Sequence, residues 1–83
     1  MAIEFPLNIS LRVVGRNTSS FTSLVILLIR RHVPDVEEDG VGHRYSQDDN
    51  YVSVIVPLVL ESREQFDAVY RELAAHEQII MVI

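Results

Sequence analysis

Residues 7–13 read Leu, Asn, Ile, Ser, Leu, Arg, Val, and residues 52–58 read Val, Ser, Val, Ile, Val, Pro, Leu. In each stretch every second side chain is apolar, the period of a β-strand with one buried face. Leu7, Ile9, Leu11 and Val13 point one way in the first strand, and Val52, Val54, Val56 and Leu58 do so in the other. A sheet built from such strands needs one face covered. The rest of the chain supplies the cover, because Phe21, Leu24, Val25, Leu28 and Ile29, and later Phe66, Val69, Tyr70 and Leu73, recur at helical spacing.

The limits of these elements follow from local chemistry. Gly15 ends the first strand, and "RNTSS" supplies the turn and the helix cap, with the N-cap at Thr18 or a neighbour. Arg30, Arg31 and His32 place positive charge where the helix dipole favours it, and Pro34 stops the helix. Ile26 and Leu27 fall outside the narrow stripe, so this helix is more apolar than one buried face requires. Further on, "VGHRYS" forms a short second strand, "QDDN" a hairpin turn and "YVSVIVPLVL" a longer third strand. Ser62 and Gln65 have the spacing of a capping box that starts the second helix, and "QIIMVI" is a final strand.

The order strand, helix, strand, strand, helix, strand predicts an α+β, ferredoxin-like βαββαβ sandwich. Right-handed crossovers place both helices on one face of a four-stranded antiparallel sheet whose central strands are the first and third. Pro57 cannot donate to a ladder, so it is expected near the end of the third strand, past the pairing of its neighbour or at a bulge. At 83 residues the chain is read as one domain, residues 1–83. With 48% apolar residues and no cysteine, packing alone must stabilise it.

Charge and motif spacing narrow the functional classes. Seven arginines, no lysine and twelve acidic residues leave a net charge of −5, which disfavours nucleic acid and anionic membrane surfaces as partners. The longest apolar run, "LVILLI", falls far short of a membrane span, and "MAIEFPLNIS" lacks the pattern of a signal peptide, so a cytoplasmic location is expected. The run "DVEEDGVGHRYS" opens like a calcium loop, with Asp35, Glu37, Asp39 and Gly40 at the first, third, fifth and sixth positions. Its twelfth position is Ser46 where a bidentate glutamate is required, so the run is read as a solvated turn. His32, His43 and His76 have no ligand spacing to pair with, and neither metal nor cofactor is expected. Ser19, Ser20, Thr22 and Ser23 cluster where helix caps are needed and are not read as nucleophiles, so no enzyme activity is expected.

With both helices on one side, the other side of the sheet meets solvent. Asn8, Ser10, Arg12 and Val14 of the first strand and Tyr51, Ser53, Ile55 and Val59 of the third should lie there. Of these, Arg12, Val14, Tyr51, Ser53, Ile55 and Val59 are the candidate residues for a protein partner or a homodimer.

Several segments together resemble a known family. They are "EFP" near the start, a basic residue before "VVG", "RRHVP" at the end of the first helix, "NYVSV" in the third strand, "YRELAAHE" in the second helix, and "MVI". From Phe5 to Ile83 the chain resembles the YbeD-like proteins, small bacterial domains without an assigned biochemical role. Departures are Arg12 where lysine is common, Pro57 within a strand, and Ile80 where a polar or basic residue is common. The resemblance implies an α+β fold related to ACT-type regulatory domains and brings no catalytic residues. It also implies an alternative site, because ACT-related modules hold small effectors at the loop after the first strand. That loop is here read as Gly15, Arg16 and Asn17, suited to an amino acid or another carboxylate.

Overall fold

The computed structural model describes residues 4–83. Strands β1 (Leu7–Arg16), β2 (Gly42–Tyr45), β3 (Tyr51–Leu60) and β4 (Ile79–Val82) form one antiparallel sheet in the order β2-β3-β1-β4. Helices α1 (Phe21–Arg30) and α2 (Arg63–Ala75) pack against each other, α1 on β1 and α2 on β3 and β4. The alternation in β1 and β3 decides which face the helices cover. Leu11, Val13, Val52, Val54, Val56 and Leu58 are buried together with Phe21, Val25, Ile29, Val69 and Leu73. This is the βαββαβ sandwich with β1 and β3 at its centre.

Several boundaries differ from those expected. Gly15 does not end β1: the strand runs on to Arg16, so Gly15 and Arg16 belong to a strand and not to a loop. The extension is held by its partner, since Arg16 still lies opposite Tyr51 and the Asn17 N–H donates to the Asn50 carbonyl at 2.9 Å. The N-cap of α1 is Ser20, two residues past Thr18, and no side chain caps it. At α2 the expected cap forms, as Ser62 Oγ accepts from the Gln65 N–H at 3.1 Å. Gln65 Oε1 accepts from the Glu61 N–H at 2.7 Å, and Gln65 Nε2 donates to the His32 carbonyl at 2.8 Å. Ile26 is buried although it lies outside the narrow stripe, because α1 meets α2 as well as the sheet; Leu27 is exposed. Tyr70, assigned to the buried stripe of α2, is half exposed.

Pro57 lies opposite Ser10 within β3. Arg12 exchanges both main-chain bonds with Ile83, at 3.1 and 2.8 Å, so the main-chain groups of Arg12, and by alternation those of Ser10, point away from β3. The Pro57 nitrogen therefore points toward β2, whose pairing has already ended at Gly42 opposite Ile55. No ladder bond is lost, which is why a proline is tolerated in a central strand.

At the other end of β1 the register with β4 shifts: Val14 lies opposite Met81 but Gly15 opposite Ile79, leaving Ile80 as an extra residue. This bulge carries Ile79 into the core and leaves Ile80 exposed.

Candidate functional site

The sheet face opposite the helices is built by period two and by register. Asn8, Ser10, Arg12, Val14 and Arg16 alternate with the buried residues of β1, and Tyr51, Ser53, Ile55, Pro57 and Val59 alternate with those of β3. Pairing then fixes the rows. Ile55 stands between Gly42 and Arg12, and Arg12 stands opposite Ile83. In the next row come Arg44, Ser53, Val14 and Met81. Tyr51 and Arg16 pair beyond them. The eight residues expected on this face from the sequence all lie on it; of the six candidates Val59, opposite Asn8, stands apart at the far end of β3, beyond Ser10 and Pro57.

Four further members were missed. Met81 and Ile83, 51% and 65% exposed, extend the apolar centre formed by Val14 and Ile55 onto β4. Alternation groups Met81 with Ile83, but in the all-apolar run "IIMVI" it does not say which face they take, and the bulge at Ile80 sets them apart from Ile79. Arg44 and Arg16 add two cations to Arg12. Arg44 depends on the register of a four-residue strand, for which the sequence carries no periodic signal.

The charge on this face is of one sign. None of the twelve acidic residues occupies a strand position on it. Ion pairs form elsewhere: Arg30 with Glu38 at 4.0 Å, Arg31 with Glu72 at 3.4 Å, His32 with Glu72 at 2.7 Å, and Arg63 with Asp67 at 3.3 Å. Arg12, Arg16 and Arg44 make no ion pair among the described residues. The other charged clusters serve the fold. Glu72 ties the end of α1 to α2 by meeting both Arg31 and His32. The acidic turn forms a short 3-10 turn, Glu38–Gly40, and is drawn back by the Arg30 Nε–H donating to the Val36 carbonyl at 2.9 Å. Among the described residues no three His, Cys, Asp or Glu side chains are grouped as metal ligands.

The alternative site at Gly15, Arg16 and Asn17 is largely occupied by the protein itself. A Cβ at residue 15 would collide with the Phe21 ring and stand 2.8 Å from the Gln78 carbonyl oxygen, so the close approach that glycine permits is made by Phe21. Asn17 Nδ2 donates to the Asp49 carbonyl at 3.0 Å and ties β1 to the β2–β3 hairpin. Asp48 organises that hairpin. Its carboxylate accepts from Ser46 Oγ at 2.7 Å, from the Asn50 N–H at 3.1 Å and from Asn50 Nδ2 at 2.9 Å. The Ser46 hydroxyl first, then the Asn50 main chain, hold the Asp48 carboxyl below its usual pKa. Of the three loop candidates, Arg16 alone remains to meet a ligand, beside a shallow hollow that it shares with Ser20, Phe21 and Gln78.

One hydroxyl lies against an imidazole: Thr22 Oγ1 and His43 Nε2 are 2.9 Å apart and exposed. His43 stacks on Tyr45, with ring centroids 6.2 Å apart, and no carboxylate orients the ring among the described residues. The pair fastens the start of α1 to the edge strand β2.

Comparison with known proteins agrees with this architecture. A family model described as "Protein of unknown function (DUF493)" matches residues 1–83. A UPF0250 protein of Neisseria gonorrhoeae (strain ATCC 700825 / FA 1090) is 35% identical over 81 residues, covering 98% of this chain and 89% of that protein. Among solved structures, protein HP0495 from H. pylori superposes with a TM-score of 0.78 at 13% identity, covering all of this chain and 87% of the other. The ACT domain from GTP pyrophosphokinase of Chlorobium tepidum, in solution, gives 0.67 at 12% identity, covering 93% of this chain and 83% of that one. The fold is thus ACT-like, and the chain belongs to the DUF493 family of small YbeD-like proteins.

Proposed function

We propose that the protein is a non-enzymatic regulatory or protein-interaction domain that acts through the open face of its sheet. The observation that carries this reading is the apolar cluster of half-buried Val14 and Ile55 and exposed Met81 and Ile83, which adjoin across three strands and are uncovered by either helix. Contiguous exposed apolar surface is costly in water and is typical of contact surfaces. A non-enzymatic role is supported by the Thr22–His43 pair, whose imidazole no carboxylate among the described residues orients.

The test is a photoreactive benzoylphenylalanine at Ser53, on the open face, compared with one at Tyr70 on α2, each introduced into the protein in living cells. The expected result is a protein adduct from residue 53 that disappears when Ile55→Asp is added, while circular dichroism shows the variant still folded. Adducts only from residue 70, or adducts indifferent to Ile55→Asp, would remove the sheet face from consideration.

A second reading, effector binding at the end of β1, is supported by Arg16 beside the hollow that it shares with Ser20 and Phe21. Its test is thermal unfolding against a panel of amino acids and other carboxylates. A ligand at 100 times its dissociation constant stabilises by ~2.7 kcal/mol, which raises the midpoint of a domain this size by at least roughly 10 °C. A flat panel sinks this reading.

A further inference from the structure

The open face of the sheet is basic on an acidic protein. Arg12, Arg16 and Arg44 stand on it without an ion pair among the described residues, and no acidic residue shares its strand positions, although the chain carries a net charge of −5. We propose that this face binds an acidic segment of another protein that interleaves carboxylates with aliphatic side chains. The inference rests on the reading of the face as an interaction surface and adds the chemistry of the partner.

Register places the charges around the apolar centre. Arg12 lies in the row of Ile55, and Arg44 lies one row on, with Ser53 and Val14, on the far side of β3. From strand spacing, the two arginines are separated by roughly 10 Å across the sheet and roughly 7 Å along it. Ile55 and Ser53 of β3 lie between them, and Val14 flanks Arg12 on β1. A segment seated on that centre brings carboxylates to both guanidinium groups, whose planar forks match a carboxylate with two parallel hydrogen bonds.

The same geometry selects against other occupants. A second copy packed face to face would set these arginines against another uncompensated set with no acid to separate them. Single-stranded nucleic acid answers the charge but not the surface, because bases stack on aromatic side chains. The centre here is aliphatic, with Tyr51 at its border.

The test uses the full chain, immobilised, against a random dodecapeptide library displayed on phage. Two variants accompany the wild type: Arg12→Gln/Arg44→Gln removes charge, and Met81→Gln disrupts the apolar centre at an exposed position without changing charge. Circular dichroism and thermal unfolding confirm that both fold. The expected result is enrichment of peptides with two or more Asp or Glu among aliphatic residues. Their binding should fall roughly tenfold or more in each variant and weaken with added salt. Neutral or basic peptides that bind the double arginine variant undiminished but not Met81→Gln overturn the inference about charge and leave the interaction face standing. Failure to enrich any peptide, or enrichment indifferent to both variants, overturns the inference, and in the second case the face as well. Two further measurements act against it: tight binding of a uridine-rich single-stranded RNA that the arginine variant loses, and a dimer seen by analytical ultracentrifugation that Met81→Gln dissociates.

Discussion

At the scale of single residues, Gly15 and Asp48 show how a side chain, or its absence, fixes a local structure. Gly15→Ala drives a methyl group into the Phe21 ring, an overpacking expected to destabilise by ~1–3 kcal/mol in denaturant titration. In a Phe21→Leu background the added cost of Gly15→Ala should shrink by at least ~0.5 kcal/mol, because the two positions share one space. Equal costs in both backgrounds would mean that backbone conformation matters at Gly15, and not the ring. Asp48 makes stability depend on pH. Its folded-state pKa lies below the ordinary aspartate value of 3.8, so its contribution is present above that value and is lost as pH falls through the folded-state pKa. Asp48→Ala should therefore unfold at lower temperature than the wild type at neutral pH. The gap between the two midpoints should close progressively below pH 3.8. At this scale the sequence was a partial guide. A glycine ahead of "RNTSS" looks the same whether it ends a strand or makes room for an aromatic ring six residues on in sequence but adjacent in space, whereas the caps and turn residues declared themselves locally.

At the scale of elements, the two helices begin differently, and a substitution can tell them apart. Ser62→Ala removes a hydrogen-bonded cap and should cost about 1 kcal/mol, or roughly 4–8 °C in the unfolding midpoint. Ser20→Ala removes none, as no side-chain bond caps α1, and should shift the midpoint far less. Comparable losses would contradict this assignment. The existence and order of all six main elements were legible because burial imposes period two on β1 and β3 and helical spacing on α1 and α2. The width of the buried stripe on α1 was not, since Ile26 is buried only because α2 packs beside α1. The first start signal misled for a related reason: "RNTSS" offers several cap-forming residues, and the hairpin contact of Asn17 extends the strand into them.

At the scale of the whole molecule, stability is concentrated in the central strands. Amides of Val13, Val54 and Val56, bonded within the sheet and covered by helices, should be the slowest to exchange with solvent. Those of the four-residue edge strand β2 should open first. Nuclear magnetic resonance exchange rates check this ordering, and β2 amides protected as strongly as those of β1 would refute it. The open face was legible through β1 and β3, where alternation is strong. Its charge was not, since Arg44 joins Arg12 only once β2 has paired with β3. The bulge opposite Gly15 has a consequence for chain length. Ile80 is the residue that β4 holds in excess, and deleting it would leave Ile79 opposite Gly15, with Met81 and Ile83 still outward and Val82 still inward. The count of residues between α2 and the end of the sheet is therefore adjustable by one at this place. A shortened chain should fold to the same sheet with an even ladder, whereas removing a residue from the middle of β1 would turn its buried side chains out into water.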